Sequence, residues 1–130
     1  MIKLLAGVAA GGALGSLCRF GLTRLLSSHN PHHAFSMGVM AANIIGCLLI
    51  GFIFTRLSSL EPGPKDALTA FLITGFLGGL TTFSTYALEL YRMSHEGAWK
   101  WVALYIGTHL VLGLAAVWAG VSLATKWAST

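Results

Sequence analysis

Acidic side chains are almost missing from this sequence. Four stand among 130 residues, at Glu61, Asp66, Glu89 and Glu96, and none precedes residue 61. Charged residues of both signs make up 9% of the chain, against about 25% in an ordinary soluble domain. That shortage excludes a water-facing globular surface, so most of the chain has lipid for its solvent. Proline is scarce too. Pro31, Pro62 and Pro64 all fall between apolar runs, where a missing N–H costs little. The two cysteines, Cys18 and Cys47, lie inside apolar runs and read as small buried hydrophobes. There is no CxxC and no Cys/His pair at ligand spacing. His29, His32, His33 and His95 fall in polar stretches and read as solvated loop residues. No Gly-Lys-Ser/Thr run offers a phosphate loop, so no ATP site is expected. The apolar runs hold no Ser/His/acid group, and the expectation is a protein that is not an enzyme. The first apolar run is not followed by an A-x-A-like cleavage site and reads as a retained membrane helix.

What the chain has in quantity is apolar length. Hydrophobic residues make up 55% of it, gathered into runs over about 4–26, 34–54, 67–91 and 98–124. Each reaches the roughly 20 residues that cross about 30 Å of hydrocarbon at 1.5 Å per residue. None shows the alternation of a membrane barrel. The expected fold is therefore an all-α membrane protein of four transmembrane helices in one domain covering residues 1–130. Small residues recur four apart at Gly7, Gly11 and Gly15, at Gly38, Ala42 and Gly46, and at Gly75 and Gly79. Such faces let helices approach closely in lipid, which predicts a tight bundle.

The charges leave the orientation open. With four spans, Lys3, Arg56, Lys65 and Lys126 share one side; Arg24, Arg92 and Lys100, with or without Arg19, share the other. Lysine and arginine bias normally sets orientation, and here it nearly vanishes. The expectation is a chain that inserts both ways up and meets its inverted copy as an antiparallel, dual-topology homodimer. Its expected partners are that second copy and the bilayer, with no nucleic acid.

Several polar residues sit at membrane depth. Arg19, inside the first run, costs about 2.5–3.5 kcal/mol at a helix centre. It either snorkels to an interface or gives an aqueous mouth a fixed positive charge. Asn43, inside the second run, either bonds helix to helix or donates to an anion in a water-filled path. Tyr105 and His109 lie one turn apart on the fourth run and share a face, either as packed residues or as part of a path sensitive to pH. Glu89, late in the third run, either partners Arg19 or faces water.

The stretch Gly78-Gly79-Leu80-Thr81-Thr82-Phe83-Ser84-Thr85-Tyr86 is poor helix material at the centre of the third run. It predicts a broken helix, and backbone unwound at depth must be satisfied by protein or must line a cavity. Freed carbonyls in such breaks hold cations. Phe83 and Tyr86 are three apart and share a face, with Ser84 and Thr85 beside them. Ring edges are electropositive, so edges plus hydroxyl donors suit a small anion. Ordinary aromatic packing with hydroxyls bonded back to the helix is the other reading.

These residues resemble a known family. Gly78-Gly79-Leu80-Thr81-Thr82-Phe83-Ser84-Thr85 is similar to the GG-x-TTFST-F signature of the CrcB/Fluc fluoride channels. The run from Gly11 to Arg19 resembles that family's GG-x-x-G-x-x-x-R stretch, and Gly38 to Gly46 its G-x-x-x-x-N-x-x-G stretch. The resemblance implies a dual-topology homodimer in the plasma (inner) membrane that passes fluoride out of the cytoplasm through two antiparallel pores. It implies a structural sodium ion (Na+) at the dimer centre, held by backbone carbonyls at Gly78 and Thr81. It implies a pore lined by Asn43, Phe83, Ser84, Thr85 and residue 86; Arg19, Tyr105 and His109 are weaker pore positions that rest on the reading of polar residues at depth given above. The sequence departs from the family's pattern at Tyr86, where phenylalanine is usual, and at His109 and Gly113 on the fourth helix.

Two other readings compete. A small multidrug-resistance-type, proton-coupled exporter needs a carboxylate deep in its first helix, and here that helix has none. A non-transporting accessory membrane subunit would use Asn43, Ser84 and Thr85 only as glue.

Overall fold

The computed structural model describes residues 1–27 and 36–128. The expected loop at His29, Pro31, His32 and His33, and the expected start of the second helix at Ala34, lie outside the described residues. The elements are α1 (Ile2–Ser27), α2 (Met37–Leu57), α3 (Pro62–Leu68), a π-helical stretch (Thr69–Leu77), the single turn α4 (Gly78–Leu80), α5 (Phe83–His95) and α6 (Trp99–Ala128). Taken together, α3 to α5 form one interrupted span, Pro62–His95. With α1, α2 and α6 it gives four helices long and apolar enough to cross a membrane.

Local chemistry sets the ends. The α2 N-cap is Ser36, whose hydroxyl accepts from the Val39 N–H at 3.2 Å, which satisfies one orphan donor of the first turn. The third span starts at Pro62, and this corrects the expectation that Pro62 and Pro64 lie in a loop. Both prolines sit in the first turn of α3, where no N–H has an intrahelical partner to lose. His95 is likewise helical rather than in a loop, as the last residue of α5. There a histidine and Arg92 face the negative end of the helix dipole. Gly97 then takes φ 73°, a left-handed value suited to glycine, and Ala98 N–H returns to the Met93 carbonyl at 2.9 Å.

Packing pairs α1 with the third span and α2 with α6. The small-residue face of α1 lies directly on backbone. A Cβ at Gly11 would strike the Phe71 carbonyl, and one at Gly15 the Phe76 carbonyl. From the other side, Gly79 faces the Gly12 carbonyl. The α2–α6 contact depends on Gly51, set against the Val117 carbonyl, and Gly120, set against the Leu48 carbonyl. Buried side chains are few and include Val39, Ala42, Leu77, Leu80, Met93 and Tyr105. Large apolar side chains such as Leu17, Phe20, Leu110 and Trp118 stay exposed, as a helix surface in lipid requires.

Candidate functional site

The third span breaks at Thr81–Thr82, one turn after the double glycine. Thr81 has φ −85°, ψ 156° and Thr82 φ −151°, ψ 118°, both extended. The chemistry of the two threonines explains the position. Thr81 donates twice to the Leu77 carbonyl, from its N–H at 2.9 Å and its hydroxyl at 2.9 Å, closing the helix behind it. The Thr82 hydroxyl then caps α5 by accepting from the Thr85 N–H at 3.3 Å. Ser84 and Thr85 turn their hydroxyls to the same Thr82 oxygen, at 3.2 and 3.1 Å.

Asn43 reaches the break from α2. Its Oδ1 accepts from the Thr82 N–H at 2.8 Å and its Nδ2 donates to the Thr82 carbonyl at 3.2 Å. One side-chain amide thus satisfies both polar groups of an unwound residue, as buried backbone demands. Of the two readings of Asn43, the helix-to-helix bond is formed in this geometry, while the residue also lines the cleft described below.

Two diverted donors have a further effect. In an unbroken helix the Thr82 N–H would go to Gly78 and the Thr85 N–H to Thr81. Here they go to Asn43 Oδ1 and Thr82 Oγ1. The carbonyls of Gly78 and Thr81 therefore lose those helical donors, and hard oxygen ligands of this kind suit a cation such as sodium.

Beside the break lies a cleft of about 630 Å³, lined by Asn43, Cys47, Thr81, Thr82, Phe83, Tyr86 and His109 among others, none of them charged. Phe83 is 78% exposed. An aromatic file runs from it: Phe83 to Tyr86 at 5.8 Å, Tyr86 to His109 at 4.3 Å and Tyr86 to Tyr105 at 5.2 Å between ring centroids. Tyr105 and His109 do share a face, with ring centroids 4.4 Å apart, edge to face. Ser84 and Thr85 sit at the hydroxyl cluster rather than on the cleft wall. Arg19 stays on α1, half-buried, and does not line the cleft.

Glu89 takes Tyr105 rather than Arg19 as its partner. The Tyr105 hydroxyl donates to Glu89 Oε2 at 2.5 Å, and the Ser36 backbone N–H also reaches the carboxylate. This network ties α5 to α6 and to the start of α2. Changing Tyr105 to Phe removes a hydrogen bond to a charged acceptor, and unfolding in detergent is expected to show a loss of about 1.5–3 kcal/mol. Sequence reasoning placed Thr82 in the stretch expected to interrupt the helix but not as the residue that Asn43 holds. The only available signal was its position beside Thr81, two hydroxyl-bearing, β-branched residues where a helix should continue.

Comparison with known proteins adds the family. A family model described as "CrcB-like protein, Camphor Resistance (CrcB)" matches residues 6–121. A protein of Pseudomonas putida named "Fluoride-specific ion channel FluC" is 44% identical over 123 residues, 95% of this chain and 98% of that one. A protein of the same name from Azotobacter vinelandii is also 44% identical over 123 residues. One from Nitratidesulfovibrio vulgaris is 41% identical over 121 residues, 91% of this chain and 92% of its own length.

Proposed function

The chain belongs to the CrcB family, and on that premise we propose that it is a passive, fluoride-selective ion channel and not an enzyme. It is a multi-pass protein of the plasma membrane. The observation that carries the reading is the coincidence at the break. An exposed aromatic ring, a tilted aromatic neighbour, the threonines of the break and a side-chain amide line a cleft whose wall is uncharged, with the Ser84 and Thr85 hydroxyls bonded to Thr82. Fluoride is small and tightly hydrated. A path for it must replace water with several donors at once, and hydroxyls, an amide and ring edges do that without trapping the ion on a fixed charge. Fluoride enters cells partly as neutral HF and dissociates inside. A negative interior then drives the anion out, at about 2.3 kcal/mol per charge per 100 mV.

The finer reading is a dual-topology homodimer with two antiparallel pores. It is supported by the balanced lysine and arginine count and by the apolar side chains left exposed around the break. The carbonyls of Gly78 and Thr81 would hold the central sodium ion, which supplies a fixed positive charge when bound. The loss of their helical donors supports that assignment.

Fluoride and chloride efflux from liposomes holding the purified protein tests the reading. Fast fluoride release with chloride retained is expected. Phe83→Ile removes the ring edge, and its fluoride release is expected to fall at least about tenfold, the effect of 1.4 kcal/mol on a barrier. Retention of fluoride by liposomes holding folded wild-type protein would reject the channel reading.

A further inference from the structure

His109 reaches the cleft from α6, and its hydrogen bonds point to the form of the ring that fits. Nδ1 lies 3.1 Å from the Tyr105 carbonyl, which can only accept, so Nδ1 carries the proton. Nε2 lies 3.5 Å from Asn43 Nδ2. That nitrogen can only donate, because the other end of the same amide already accepts from the Thr82 N–H. A neutral ring with Nε2 as a bare acceptor is the form that fits both contacts. The other neutral tautomer sets the Nδ1 lone pair against the Tyr105 carbonyl. The imidazolium sets one N–H against another at Asn43. Flipping the Asn43 amide does not help, because it puts its donor on the Thr82 N–H and its acceptor on the Thr82 carbonyl. Among these arrangements only one satisfies every group.

We propose that His109 is a positioning residue for Asn43. As the neutral, Nδ1-protonated imidazole it holds the Asn43 amide, and through it the unwound Thr82 peptide, in the conducting arrangement; protonation breaks that chain and lowers fluoride flux. The proposal rests on the channel reading above. The groups facing the ring allow this. Tyr86 of α5 and Tyr105 of α6 are its aromatic neighbours, and Cys47 of α2 lines the same cleft. Ile73 and Leu77 close the cleft from the π-helical stretch. Glu89 is engaged with the Tyr105 hydroxyl, and among the described residues no charged side chain lines the cleft to take over the added proton's charge.

The test pairs a spectrum with a flux. Nitrogen-15 NMR of imidazole-labelled, unmodified protein in lipid reads the tautomer and the titration midpoint of His109. Fluoride efflux is then measured across the same pH range, with protein-free liposomes giving the leak of neutral HF. The expected spectrum shows the Nδ1–H tautomer above the midpoint. The neutral fraction falls about tenfold from one pH unit above the midpoint to one unit below, and channel-borne flux is expected to fall by the same factor. In His109→Gln that ratio is expected to stay within about twofold, since no group titrates there. An Nε2–H tautomer, a flux flat across the His109 midpoint, or an unchanged pH profile in His109→Gln would each overturn the proposal. If the wild type passes no fluoride at any pH, the channel reading falls instead, and the tautomer still judges the hydrogen-bond chain.

Discussion

Replacing Asn43 by alanine is expected to lower fluoride flux by about one to two orders of magnitude while leaving a folded, four-helix protein. The magnitude follows from what the amide holds. Asn43 satisfies the N–H and the carbonyl of Thr82 at 2.8 and 3.2 Å, across two helices. Without it both groups are orphaned in a low-dielectric site, at about 1–3 kcal/mol each. The least costly relief is for the Thr82 N–H to swing back toward the Gly78 carbonyl and reform helix. That movement would turn Phe83 away from the cleft and remove a carbonyl from the proposed cation site. Asn43→Asp sharpens the test: it keeps an acceptor for the Thr82 N–H but loses the donor to the carbonyl and to His109. It is expected to be impaired as well, and to lose the wild-type pH profile. Liposome efflux measures both variants. Wild-type flux in Asn43→Ala would mean that the clamp is irrelevant to conduction.

The opening of the third helix was legible because the residues there oppose a helix on several counts at once. The signal covered the glycines and the threonines alike and did not choose between them. The glycines at 78 and 79 are the poorest helix formers, yet both remain helical, in α4. Gly79 is needed for close approach, since its missing side chain lets the Gly12 carbonyl of α1 in. The chain parts instead at the two threonines, whose hydroxyls offer the backbone other partners. A sequence shows that such side chains are present; it does not show that an asparagine thirty-nine positions earlier will meet them. The π-helical stretch Thr69–Leu77 had no signal at all, because TAFLITGFL is ordinary apolar helix by composition. Pro62 and Pro64 misled in the usual way. Proline reads as a breaker unless it stands in a first turn, and only the boundary itself tells which case applies. The contact of Gly51 with α6 and of Gly120 with α2 was also missed, although Ala116, Gly120 and Ala124 stand four apart on α6 and offered the same small-residue signal.

Gly15 carries the second large effect, and the same substitution at Gly21 is expected to have the opposite sign. A Cβ at Gly15 would sit against the Phe76 carbonyl and about as close as 2.8 Å to the Leu80 N. These are backbone atoms, which cannot rotate away as a side-chain end would. Gly15→Ala must push α1 off the third span just below the break, with an overpacking cost of about 1–3 kcal/mol or more. Gly21 lies on the same helix with nothing within 4 Å of where its Cβ would stand. There, alanine removes a glycine's extra unfolded-state freedom and is expected to stabilise by about 0.5–1 kcal/mol. Unfolding of both variants in the same detergent separates the two terms, since the chemical change is identical and only the neighbour differs. Equal shifts would mean that helix propensity alone governs α1. A loss confined to Gly15 would place the limit on helix approach where the backbone of the third span is about to unwind, so that the packing face of α1 also fixes where the hydroxyl cluster at Thr82 stands.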